Sequence, residues 1–104
     1  MPRILTLTMN PALDVSTSIA KVVPAHKLRC AASIQHPGGG GVNVARVLQR
    51  LGCDCQALYL AGGANGQVLR RLLDGEQLRQ QVIDISADTR ESFSVHETSS
   101  GQDY

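Results

Sequence analysis

Tryptophan is missing from this 104-residue chain, and a single Phe and two Tyr are its only other aromatics, so whatever core it builds has to be aliphatic. Charge of one sign is missing too. Ten Lys and Arg stand against nine Asp and Glu, a formal +1, which leaves no basic footprint for nucleic acid and implies no strongly charged partner. No apolar run approaches the roughly 18 residues of a membrane helix, and the stretch from Ile4 to Met9 is too short for the apolar region of a secretory signal. The chain reads as cytoplasmic, with no membrane partner. Three cysteines, Cys30, Cys53 and Cys55, are an odd set without C-x-x-C spacing, and they read as reduced, packed thiols rather than as a metal or redox site. His26, His36 and His96 are scattered over separate segments, so no metal site is expected. There is no nucleophile elbow, and Asp84 and Asp88 have no recognisable partner.

What is present is a globular composition, 42% hydrophobic and 18% charged, at a length that fits one domain able to bury roughly two thirds of its unfolded surface. Arg3 to Met9 is rich in β-formers and stops at Asn10-Pro11, a strong turn signal. From Asp14 to Ile34 the chain mixes Val, Ser, Thr and Ile with Pro24, which predicts short, partly exposed strands leaving the main sheet. Pro37 and Gly38-Gly39-Gly40-Gly41 interrupt the pattern. Val44, Val47, Leu48 and Leu51 then recur at helical spacing, the stripe of one face, up to Gly52.

Cys55 to Ala61 is short and mostly apolar, as in a strand buried on both faces of a parallel sheet. Gly62 to Gly66 is a second glycine turn, and Leu69, Leu72 and Leu73 mark a second helix ending near Gly75, with Asn65 as its expected cap. Gln81 to Ile85 makes a third strand. The order is βαβαβ, which predicts a parallel α/β sheet. Ser92 to Thr98 alternates, and Ser99-Ser100-Gly101 reads as a hairpin turn whose second arm has barely begun at Tyr104. Such an ending leaves an unpaired strand edge, which predicts a truncated protein.

The Gly38–Gly41 run enters a helix, where backbone N–H groups can approach an anion or a hydroxylated ligand without a Cβ in the way. It is not a Walker A motif, and Asn43 stands where a dinucleotide fingerprint needs Gly or Ala. Asp14, just past Asn10-Pro11, is expected near the carboxyl ends of the strands, with Asn43 on the same crevice. A carboxylate beside an amide suits several hydroxyls at once, as in a sugar.

Taken in order, Thr6-Leu-Thr-Met-Asn-Pro-Ala-Leu-Asp14, Gly38-Gly-Gly-Gly-Val-Asn-Val-Ala-Arg46 and Leu60-Ala-Gly-Gly-Ala-Asn-Gly66 resemble the amino-terminal signature of the PfkB branch of the ribokinase superfamily. Most of the branch carries Lys third in the glycine motif. Gly40 stands there instead, a form similar to that of bacterial 6-phosphofructokinases.

The resemblance implies a ribokinase-like α/β fold, here a partial βαβαβ parallel sheet with part of a β-lid. Residues 1–104 would be the N-terminal part of a sugar kinase domain, with lid segments at about 14–36 and 90–104. It implies that Asp14, Gly39 and Asn43, with Gly38 beside them, contact sugar hydroxyls, and that Lys27 and Arg90 approach the sugar's phosphate. Point charges and bidentate forks are what a phosphate wants. The intact protein would use ATP and Mg²⁺ to convert fructose 6-phosphate to fructose 1,6-bisphosphate and would form a homodimer through the lid.

The family's nucleotide-binding region and its Gly-Ala-Gly-Asp catalytic motif are not in this sequence, so it holds no catalytic residue and is expected to be inactive alone and to bind neither ATP nor Mg²⁺. Two alternatives stand beside this reading. One is a kinase of fructose 1-phosphate or tagatose 6-phosphate. The other is a non-catalytic remnant that at most binds a sugar phosphate or a partner through exposed strands.

Overall fold

The computed structural model describes residues 2–104. In chain order the elements are β1 (Ile4–Thr8), β2 (Ala12–Ile19), β3 (Ile34–Gly38), α1 (Gly40–Arg50), β4 (Cys55–Ala61), α2 (Gly63–Gly75), β5 (Gln80–Asp84) and β6 (Arg90–Glu97). They form two three-stranded sheets. The first is parallel throughout, in the order β1-β4-β5, and α1 and α2 are its crossovers. The second has β2 at its centre, antiparallel to β3 and parallel to β6. The expected βαβαβ unit and the strand excursion are therefore both present, as separate sheets.

Several boundaries differ from the sequence expectation for one reason: glycine was read as punctuation, whereas here it sits inside elements. Gly40 and Gly41 belong to the first turn of α1, and Gly63 and Gly66 to the first turn of α2. Pro37 and Gly38 end β3, an edge strand, where a missing N–H costs nothing in the ladder. The excursion is one eight-residue strand, β2, already begun at Ala12, followed by a connection over 20–33 and then β3. That connection is pinned to β2 near its far end, since Thr17 Oγ1 donates to the Ala31 carbonyl at 2.6 Å and the Ala31 N–H to the Ser18 carbonyl at 2.9 Å. The last strand starts at Arg90, and residues beyond the 98–101 turn fold back on it, with the Tyr104 N–H and carbonyl both bonded to Val95 at 2.9 Å.

One core lies between the first sheet and its helices, built from Val42 and Ala45 of α1, Leu69 and Leu73 of α2, and Cys55, Ala57, Tyr59 and Ala61 along one face of β4. Tyr59 is fully buried, its hydroxyl donating to Gln80 Oε1, and burial pushes its pKa up to about 12, with Arg70 opposing and Asp74 adding to the rise.

The face of α1 turned to this core is not the one the apolar stripe marks. Val44, Val47 and Leu51 are 51%, 53% and 73% exposed, while the smaller Val42 and Ala45 are buried. The same inversion occurs in β1, where Thr6 and Thr8 are buried and Leu5 and Leu7 exposed. Small side chains let α1 approach β1 closely: a Cβ on Gly41 would fall against Thr8 Oγ1 and 3.0 Å from the Leu7 carbonyl oxygen.

The cysteines are free, and only Cys55 is buried. Cys53 is intermediate and Cys30 exposed, because Cys30 falls in the 20–33 connection rather than in a packed element, which corrects the expectation of three packed thiols. Asp84 and Asp88 also have partners. Asp84 pairs with Arg70, and Asp88 accepts a backbone N–H from α2. Among the described residues no helix is long and apolar enough to cross a membrane.

Candidate sugar-binding site

In a parallel sheet whose strands feed helices, the strand ends and helix starts gather on one edge, where ligands bind. β1 ends there at Thr8 and turns through Asn10-Pro11 into β2, while α1 and α2 begin there at Gly40 and Gly63. The second sheet rises from the same edge. Its register sets Gly38, Ala12 and Arg90 in one row across three strands and His36, Asp14 and Ser92 in the row two residues on. A two-residue step returns to the same face, so Gly38, Asp14 and Arg90 share one face of this sheet.

Asp14 and Gly38 are in intimate contact. A Cβ on Gly38 would lie within 2.7 Å of both Cγ and Oδ1 of Asp14 and closer still to Oδ2. Glycine is thus the residue that lets the carboxylate lie across β3. Asp14 is half-buried and forms no ion pair among the described residues.

Gly39 caps α1 with φ +117, in the range that favours glycine, and a Cβ there would meet Thr8 Cγ2 at 2.9 Å and Pro11 Cα at 3.1 Å. No side chain caps the helix and no acidic residue occupies its first turn. The helical ladder opens with the Asn43 N–H donating to the Gly39 carbonyl at 2.9 Å, so the N–H groups of residues 40–42 have no partner within the helix and lie at the positive end of its dipole.

Arg90 is exposed at the foot of β6. Its only side-chain hydrogen bond among the described residues is a long one, Nε to the Asn10 carbonyl at 3.4 Å, so most of its guanidinium fork is unused. These four positions, Asp14, Gly38, Gly39 and Arg90, are brought together. Asn43 stands one turn into α1, exposed, beside Val44, Val47 and Leu48. Lys27 lies exposed in the 20–33 connection, and no hydrogen bond or ion pair among the described residues ties it to the row.

Sequence reasoning marked the second glycine turn but missed what packs against it. Asn65 does not cap α2: Gly62, which has no side chain to do so, is its N-cap. Instead Asn65 Nδ2 donates to the Thr89 carbonyl at 3.0 Å, the Asn65 N–H donates to Asp88 Oδ1 at 3.1 Å, and the Gly62 N–H donates to Thr89 Oγ1 at 3.1 Å. These glycines accommodate the chain just before Arg90, and the signal in the sequence was the polar pair Asp88-Thr89 so close to a strand start. No group of three or more His, Cys, Asp or Glu side chains converges among the described residues.

The parallel α/β layer thus carries a strand sheet at its carboxyl edge, with a glycine-cleared carboxylate, an open helix start and a largely unpaired arginine on one rim. Residues 7–104 match the model of the pfkB family carbohydrate kinases, and the chain belongs to that family. Its fold is ribokinase-like. It is 50% identical over 103 residues to an ATP-dependent 6-phosphofructokinase isozyme 2 of Mycobacterium tuberculosis, covering 99% of this chain and 30% of that protein.

The crystal structure of Escherichia coli phosphofructokinase-2 in complex with fructose-6-phosphate superposes with a TM-score of 0.95 at 42% identity, covering all of this chain and 34% of that one. A tagatose-6-phosphate kinase of Staphylococcus epidermidis is 34% identical over 92 residues, 88% of this chain and 30% of that protein. The chain thus spans about a third of the length of the relatives it matches.

Proposed function

We propose that these residues form the N-terminal, substrate-binding part of an ATP-dependent kinase that phosphorylates fructose 6-phosphate to fructose 1,6-bisphosphate. The observation that carries this reading is the shared face of Asp14, cleared by Gly38, and Arg90, whose guanidinium is largely unpaired. The carboxylate accepts from sugar hydroxyls, the N–H groups at the start of α1 donate to ligand oxygens, and Arg90 offers a bidentate fork to the phosphate. Asn43 and, from the connection above, Lys27 complete the set. The higher identity to 6-phosphofructokinases than to the tagatose-6-phosphate kinase favours fructose 6-phosphate as the substrate.

ATP and Mg²⁺ belong to the remaining two thirds of such a kinase, so the 104 residues alone are inactive. The segments at about 14–36 and 90–104 act as part of a lid. Ile34 and Phe93, 58% and 59% exposed on the outer strands of the second sheet, support a homodimer contact there. The open faces bearing Leu5 and Leu7 of β1 and Val44, Val47 and Leu51 of α1 are where the rest of the kinase packs. The enzyme works in the cytoplasm.

The test is steady-state kinetics of the full-length kinase carrying these residues. Asp14→Ala and Asn43→Ala are expected to lower kcat/KM for fructose 6-phosphate by one to two decades, about 1.5–3 kcal/mol, and to leave the KM for ATP nearly unchanged. Unchanged sugar parameters in both variants would refute the assignment.

A further inference from the structure

We propose that Thr89, held by Gly62 and Asn65, is a positioning residue that sets the root of Arg90 and through it the preference for a phosphorylated over an unphosphorylated sugar. The inference rests on the reading of Arg90 as the phosphate contact. Thr89 is 5% exposed, and three of its polar groups are committed to α2's first turn. Its hydroxyl oxygen accepts the Gly62 N–H at 3.1 Å, its own N–H donates to the Gly62 carbonyl at 3.0 Å, and its carbonyl accepts Asn65 Nδ2 at 3.0 Å. Asp88 adds a fourth tie by accepting the Asn65 N–H at 3.1 Å.

The glycines opposite leave no slack. A Cβ on Gly66 would lie 3.2 Å from Thr89 Oγ1, and one on Gly63, at φ +65, would lie 3.0 Å from Asp88 Cα. The next residue is Arg90, opposite Ala12 in the ladder. Its side chain has one long bond and is otherwise free, so the place from which the fork reaches an anion is fixed by the backbone before it. Recognition of a phosphate by a long side chain is sensitive to displacements of about 1 Å at its root, and the Thr89 clamp suppresses them.

A purely structural Thr89 would lower stability without touching discrimination, and this separates the two roles. The measurement is the ratio of kcat/KM for fructose 6-phosphate to that for fructose in the full-length kinase carrying these residues. Thr89→Val keeps the shape and removes the acceptor of the Gly62 N–H. It is expected to lower the ratio roughly tenfold, as loss of one well-formed hydrogen bond would. Thr89→Ser, which keeps the oxygen, should restore the wild-type ratio.

Asn65→Ala, which removes only the bond to the Thr89 carbonyl, serves if Thr89→Val does not fold, and is expected to lower the ratio in the same direction. In an Arg90→Ala background neither change should alter the ratio further. If Arg90→Ala collapses the ratio while Thr89→Val and Asn65→Ala leave it at the wild-type value, or lower both sugars by one factor, the positioning role is overturned and the phosphate reading stands. If Arg90→Ala itself leaves the ratio unchanged, the phosphate reading falls and this inference falls with it.

Discussion

Two adjacent glycines at the start of α1 should respond to alanine with opposite signs. At Gly40 nothing among the described residues lies within 4 Å of an added Cβ and the backbone is helical, so Gly40→Ala is expected to stabilise by about 0.4–1 kcal/mol, chiefly by restricting the unfolded chain. At Gly41 the methyl would collide with Thr8 Oγ1 and sit 3.0 Å from the Leu7 oxygen and 3.2 Å from the Leu7 carbonyl carbon. Leu7 is paired within the β1–β4 ladder, opposite Leu58, so its carbonyl cannot retreat and the helix has to lift. Overpacking of this kind costs roughly 1–3 kcal/mol, which outweighs the gain of about 1 kcal/mol in helix propensity.

Trimming the obstacle should relieve part of the cost. The pair Gly41→Ala with Thr8→Ala is therefore expected to be less destabilised than the sum of the single variants, by about 0.5 kcal/mol or more. Urea unfolding followed by far-UV circular dichroism reads this as a shift in midpoint at constant slope. If Gly41→Ala raised the midpoint as much as Gly40→Ala, α1 would not be seated on Thr8 and Leu7, and the close approach described above would be wrong.

Thr6 Oγ1 is buried without a hydrogen-bond partner among the described residues, so Thr6→Val should stabilise by about 1 kcal/mol in the same unfolding assay, and a loss of that size would mean the hydroxyl is satisfied. Glu97 accepts the Ser100 hydroxyl and, at 2.7 Å, the Val22 N–H, and these bonds, with a smaller contribution from Lys21 against the opposing effect of burial, hold its carboxyl below the usual glutamate range. A depressed native pKa gives stability that is present above the ordinary glutamate value and is lost as pH falls through the native one. The urea midpoint of Glu97→Gln should therefore fall less steeply than wild type on the acid side, and parallel slopes would show that Glu97 does not titrate with folding.

Element type and order were legible in the sequence because they depend on local signals. Asn10-Pro11 ends β1, the run from Cys55 to Ala61 is a strand, and the helical spacing of Val44, Val47, Leu48 and Leu51 is real. Which face of an element is buried is not a local property. Periodicity identifies an apolar side but not the layer that covers it, and here α1 meets the core through Val42, Ala45 and the edge of Leu48, with Gly41 close against Leu7 and Thr8. Small residues make the closest interface of α1 with β1, while Leu5, Leu7, Val44, Val47 and Leu51 mark the faces left open.

The site divides along the same line. Asp14 and the glycine run could be found from residue type and order, but their contact depends on the pairing of β2 with β3. The pairing of β2 with β6 across more than seventy residues then puts Arg90 beside them, and no spacing rule contains that register. The clamp at Thr89 was hidden for a further reason. Glycines at Gly62, Gly63 and Gly66 look like a ligand loop in a sequence, yet the space they clear is filled by residues 85–89 of the same chain. A glycine-rich turn before a helix therefore signals close approach by something, and only the fold decides what: the Asp14 carboxylate at Gly38, Thr8 and Pro11 at Gly39, and the strand root before Arg90 at Gly62, Gly63 and Gly66.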